Sequence, residues 1–167
     1  MIEQIFQSAM YPFLFLSMYF QVLLLISFFE NNKKIKDEES QDVTVYPTVT
    51  IAVPCWNEEK TLARTLDSLM ALDYPKDKLQ VIIVDDGSKD QTFAIGEEYA
   101  QKYPTTISVI SKPNGGKHTA VNLALKNSTS DFFGCLDADS FVDTKALRII
   151  ISYFEHHKKA MAVTPCI

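Results

Sequence analysis

Leu79-Gln80-Val81-Ile82-Ile83-Val84-Asp85-Asp86-Gly87-Ser88 is the stretch that decides the fold. Leu79–Val84 is apolar at nearly every position, the pattern of a parallel strand covered on both faces. Gly87 permits a tight turn where it ends. Upstream, Val49–Val53 is a β-rich run ended by Pro54. Glu58–Leu72 has helical spacing, with Leu62, Leu66 and Leu69 on one face. Glu58 and Glu59 fall in its first turn, where the helix dipole favours them. Downstream, Ser88-Lys89-Asp90-Gln91 matches a capping box and predicts a helix to about Tyr103.

The alternation continues. Thr106–Ile110 reads as a third strand, Lys117–Lys126 as a third helix with Val121, Ala124 and Leu125 inward, and Phe132–Leu136 as a fourth strand. Asp143 caps a fourth helix striped by Leu147, Ile150, Ile151 and Phe154. Ala160–Thr164 begins a fifth strand. Strands regularly separated by helices predict an α/β domain with a mostly parallel sheet and helices on both faces. Ligands of such sheets bind beyond the carboxyl ends of the strands. Four polar segments fall at that edge: Pro54–Glu58, Asp85–Ser88, Ser111–Lys117 and Asp137–Asp139.

Asp137-Ala138-Asp139 ends an apolar strand. Alternate residues on extended backbone point the same way, so two carboxylates repel unless a cation joins them. Mg²⁺ or Mn²⁺ takes one or two carboxylates plus phosphate oxygens and neutralises a diphosphate leaving group. An EF-hand loop and a dehalogenase-like phosphatase are both excluded by Phe141. Asp85 and Asp86 have two competing uses, accepting hydrogen bonds from a nucleobase or ribose, or capping the following helix. Asn57 and Glu58, after Pro54, bind base or ribose, or else Asn57 caps a helix start. The 111–117 loop turns backbone N–H groups toward an anion, with Lys117 for a phosphate; Ser111 and His118 rule out a P-loop. His118, His156 and His157 read as surface residues.

Ile5 to Phe29 carries no charge and is long enough to span a bilayer. A cleaved signal peptide would want a basic start and a small-residue cleavage site, whereas the start is Met1-Ile2-Glu3-Gln4. Lys33, Lys34 and Lys36 follow the span, which predicts a single pass through the cell membrane with the C-terminal domain cytoplasmic. The domains expected are a transmembrane helix over 1–30, a polar linker over 31–47 and an α/β ligand-binding domain over 48–167. Net charge is -5 with no basic stripe, which argues against nucleic acid as a partner. Cys55, Cys135 and Cys166 lack metal spacing and read as buried thiols in a reducing compartment.

Taken together, Val53-Pro54-Cys55-Trp56-Asn57-Glu58, Ile83–Ser88, Asn114-Gly115-Gly116-Lys117 with Asn122, and Leu136-Asp137-Ala138-Asp139 resemble the nucleotide-binding half of an inverting family 2 glycosyltransferase of the Rossmann-like GT-A fold. A preceding membrane helix resembles the processive polysaccharide synthases. The resemblance implies a UDP-sugar donor with Mg²⁺ or Mn²⁺. It implies Asp86 and Asp85 at the uracil or ribose, Lys117 near the diphosphate, Asp137 at the nucleotide and Asp139 on the metal. The family's acceptor-side base and Gln-x-x-Arg-Trp motif do not occur in this sequence, so the resemblance predicts no catalytic base and donor binding without efficient transfer. Alternatives are a non-catalytic membrane-tethered nucleotide-binding module that needs a second chain or C-terminal half, and a dolichyl-phosphate mannose synthase-like enzyme.

Overall fold

The computed structural model describes residues 2–39 and 43–164, which divide into two compact units, Met1–Gln41 and Asp42–Ile167. The first unit is one helix, α1, Ile2–Glu39, with Pro12 inside it. Within it Met10–Glu30 is long and apolar enough to cross a membrane, with a mean hydropathy of 2.0. The stretch expected to be a polar linker is therefore helical through Glu39, and residues 40–42 lie outside the described residues.

The second unit is a four-stranded, all-parallel sheet. Its strands are β1 (Val49–Cys55), β2 (Leu79–Asp85), β3 (Ile107–Ser111) and β4 (Phe132–Cys135), in the order β3-β2-β1-β4. The helices are α2 (Leu62–Met70), α3 (Thr92–Lys102), α4 (Lys117–Lys126) and α5 (Ala146–His156). Side chains alternate across the pleat, and each parity has its own helical layer. Val49, Ile51, Val53, Val81 and Ile83 pack with Leu62, Leu66 and Leu69 of α2 and Leu147 and Ile151 of α5. Ile95 and Tyr99 of α3 join the same layer. Ala52, Ile82 and Val84 face the other way, onto Ala120 and Ala124 of α4. The α/β class and the helices on both faces are as the sequence predicts.

Several boundaries differ. Pro54 lies inside β1, not after it. Thr48 and Ala52 give their carbonyls to Phe132 and Leu136 on the β4 side, at 3.0 and 2.9 Å, so even-numbered residues of β1 face β4. The next bond of this ladder would run from residue 54 N–H to the Leu136 carbonyl, and proline has no N–H to give, so the β1–β4 pairing stops opposite Ala52. In α4 the inward residues are Ala120 and Ala124, while Leu125 is exposed. Small side chains four residues apart let the helix lie close on the sheet. Ala160–Thr164 forms no strand. Ala160–Val163 instead line an apolar cavity of about 450 Å³ beside β4 and α5, with no ladder bonds to hold them extended.

Candidate active site

The sheet's carboxyl edge opens into a cleft of about 680 Å³ lined by Pro54, Trp56, Glu58, Asp86, Lys89, Asn114, Lys117, Asp137 and Asp139, among others. Six sequence-predicted site residues thus meet there: Pro54, Glu58, Asp86, Lys117, Asp137 and Asp139. Two others, Asn57 and Asp85, do not line it. Asn57 adopts φ 58°, its amide N–H donates to Ser88 Oγ (2.9 Å) and its Oδ1 accepts from Lys89 N–H (2.8 Å). Asp85, 2% exposed, accepts from Ser88 N–H and Ser111 Oγ, each at 3.1 Å. Both pin loops behind the wall of the cleft.

Asp137 and Asp139 share the cleft for a different reason from extended-strand alternation. A turn forms here: Ser140 N–H donates to the Asp137 carbonyl at 3.0 Å. Ala138 between them is buried, and its carbonyl accepts from Thr65 Oγ1 of α2 at 2.8 Å. The alanine is anchored inward, and the carboxylates on either side border the cleft. Lys117, the first residue of α4, pairs with Asp137 Oδ1, and that carboxylate raises the lysine's pKa. The lysine stays a cation at neutral pH.

Asp86 is the most enclosed acid of the cleft, at 4% exposed. Its Oδ1 accepts from Lys112 Nζ and from Gly115 N–H (2.9 Å), and its Oδ2 from Gly116 N–H (2.8 Å). Burial pushes its pKa up, but the bonds from Lys112, Gly115 and Gly116 outweigh burial and hold it below the usual carboxylate range. Glu58 accepts from Thr61 Oγ1 at 2.7 Å. Cys55, also in the wall, has its pKa pushed up to about 12 by burial and then by Asp85 and Glu58. It remains a thiol. Cys135, expected to be buried, is exposed at the end of β4, and Cys166 lies outside the described residues.

Four carboxylates (Glu58, Asp86, Asp137, Asp139) face two lysines (Lys89, Lys117) among the lining residues. A diphosphate entering this balance needs further positive charge. Among the described residues no cluster of three metal-ligating side chains exists. The donor set therefore does not make a cage by itself. It fits a divalent ion that takes one or two carboxylates, here Asp139 and Asp137, and completes its shell with phosphate oxygens and water. In the sequence Asn114 stands out only as part of a motif, and Asn114, Lys89 and Lys112 are given no role there. The signal for Lys112 was a lysine placed just after β3, beside a strand that ends in two aspartates.

The model of the family described as "Glycosyl transferase family 2" matches residues 50–167. Poly-beta-1,6-N-acetyl-D-glucosamine synthase of Staphylococcus aureus (strain COL) is 31% identical over 163 residues, covering 96% of this chain and 39% of its own length. The probable glycosyltransferase YdaM of Bacillus subtilis is 35% identical over 120 residues, 70% of this chain and 29% of its own. Among solved structures, mannosyltransferase PcManGT of Pyrobaculum calidifontis, in complex with GDP-Man and Mn²⁺, aligns with a TM-score of 0.64 and 28% identity, over 72% of this chain and 38% of that one. S. aureus TarS 1-349 in complex with UDP-GlcNAc aligns at 0.59 and 31% identity, over 66% and 32%. The chain spans about two fifths of the length of the first of these relatives and less of the others. Since the family match runs from the second residue of β1 past the end of α5, the chain belongs to glycosyl transferase family 2.

Proposed function

We propose that this chain is the donor-binding part of a membrane-anchored glycosyltransferase that takes a UDP-sugar with Mg²⁺ or Mn²⁺ for inverting transfer to a polysaccharide or glycolipid acceptor. The observation that carries the reading is the meeting of Lys117, Asp137 and Asp139 in one cleft at the sheet's carboxyl edge. The likeness to TarS in complex with UDP-GlcNAc and to PcManGT in complex with GDP-Man and Mn²⁺ supports the donor class and the metal. In this reading Asp139, with Asp137, would hold the ion, which when bound neutralises the diphosphate as it leaves. Lys117 turns from Asp137 toward a diphosphate oxygen and remains protonated while it does so. Pro54, Glu58 and Asp86 line the nucleotide end, and Asn57 and Asp85 keep that wall in place. No carboxylate of this chain is assigned as the acceptor's base.

The membrane part of the proposal rests on Met10–Glu30 and on Lys33, Lys34 and Lys36 beyond it, a charge pattern that supports a cytoplasmic side for the α/β domain under the positive-inside rule. Calorimetry of UDP with Mn²⁺ on the full chain in detergent tests the donor site. Binding that Asp139→Asn weakens by about tenfold or more is expected, since a divalent ion leans on so few protein carboxylates. No UDP binding, or binding indifferent to that change, refutes the assignment.

A further inference from the structure

The loop between β3 and α4 is fastened at several points onto the turn that ends β2. Ser111 Oγ donates to the Asp85 carboxylate, and Lys112 N–H donates to the Asp85 carbonyl at 3.0 Å. Gly87, at φ +76°, lies so close beneath that a Cβ there would meet Asn114 N at 3.0 Å and Lys112 O at 3.3 Å. Next to it the Asp86 carboxylate gathers Lys112 Nζ and the Gly115 and Gly116 amides. The Lys112 side chain is only 18% exposed, and its Nζ also donates to the Pro113 carbonyl at 2.7 Å. Gly116, at φ 88°, then turns the chain into α4, whose first residue is Lys117.

These contacts form a chain of dependence. A buried carboxylate is stable as an anion only when its charge is met. Lys112 is the one cation that meets Asp86 among the described residues. Two glycine amides, from residues with no side chains to pack, supply the remaining bonds. Once Lys112 is neutral, the unpaired anion is no longer a good anchor, and the loop it holds loosens. Lys117, the first residue of α4, follows directly on that loop. We infer that Lys112, through Asp86, is a positioning residue that sets the 112–116 loop and so aims Lys117 across the cleft at Asp137. The donor-binding consequence rests on the function proposed above; the loop-holding consequence does not.

Two measurements on the full chain in detergent separate them. Amide hydrogen exchange reads the latch without any ligand. In Lys112→Met, the Gly115 and Gly116 amides are expected to exchange about tenfold or more faster, with Val81–Val84 of β2 unchanged, while Lys112→Arg restores protection. Should Lys112→Met also expose β2, Lys112→Gln is read in the same way. Unchanged Gly115 and Gly116 exchange in a folded, charge-neutral variant overturns the inference. Calorimetry with UDP and Mn²⁺ reads the aim. Lys112→Met is expected to weaken binding about tenfold. Because it acts through Lys117, the double variant with Lys117→Met should bind no more weakly than Lys117→Met alone. Additive losses overturn the aiming role. If the unsubstituted chain binds no UDP, the donor assignment falls, and the exchange result still decides the latch.

Discussion

At Asp86, burial and charge pairing act in opposite directions on one carboxyl, and pairing wins. A carboxyl whose folded pKa is depressed stabilises the fold above its unfolded value, about 4, and that contribution is lost as pH falls through the lower folded value. Asp86→Asn is thus expected to lower the melting temperature at pH 7 and to flatten its decline in acid. Thermal unfolding followed from pH 7 down to about 3 checks this. Parallel curves for the two proteins would mean that Asp86 does not couple protons to folding. At this scale the sequence was legible where chemistry forces a pairing. Asp137 and Asp139, two residues apart, called for positive charge, and Lys117 meets Asp137 in the same cleft. It was not legible where two side chains end the same strand. Asp85 and Asp86 are neighbours in sequence, yet one turns behind the wall and the other borders the cleft. The choice is made by the 111–116 loop, which arrives from another strand.

Among the elements, α2 shows what periodicity reads well. Leu62, Leu66 and Leu69 form the expected stripe, each 0% exposed against the sheet. Leu66→Ala leaves a cavity in that layer and is expected to cost about 2–5 kcal/mol of stability, measured by urea unfolding; a loss under about 1 kcal/mol would show that the layer collapses around the gap. The ends of elements were less legible. α2 begins at Leu62, not Glu58, and α3 at Thr92, not within the expected capping box. Both shifts have one cause. The turns after β1 and β2 bind each other: Ser88 Oγ accepts from Asn57 N–H, Gln91 N–H donates to Glu59 at 3.2 Å, and Glu58 N–H donates to Thr92 Oγ1 at 2.7 Å. Asp90, not Ser88, satisfies the start of α3, accepting from Thr92 N–H at 3.0 Å. Local signatures describe bonds a segment makes with itself, and these residues spend theirs on a partner about thirty positions away.

For the whole molecule, two units of different character share one chain, and the alternation of buried strands and striped helices made the second legible from sequence. The first makes a separate physical demand. Met10–Glu30 presents Tyr11, Phe13, Phe15, Leu24, Phe28 and other large apolar side chains, exposed along the helix. Left in water, such a surface would draw copies of the chain together; in a bilayer it is solvated by acyl chains. The helix also satisfies its own backbone, which a spanning segment must do. The full chain is therefore expected to sediment with membranes and to resist alkaline carbonate while yielding to detergent. Phe20 lies at the middle of the span, where an arginine costs about 2.5–3.5 kcal/mol on insertion scales. Phe20→Arg should shift a measurable share of the chain out of the membrane fraction, whereas Phe20→Leu should not. Protease added to the cytoplasmic face should then cut the α/β domain, if Lys33, Lys34 and Lys36 set the orientation. Release of the unsubstituted chain by carbonate, or equal partitioning of the arginine variant, would show that the helix does not span; protection of the domain from cytoplasmic protease would reverse its sidedness.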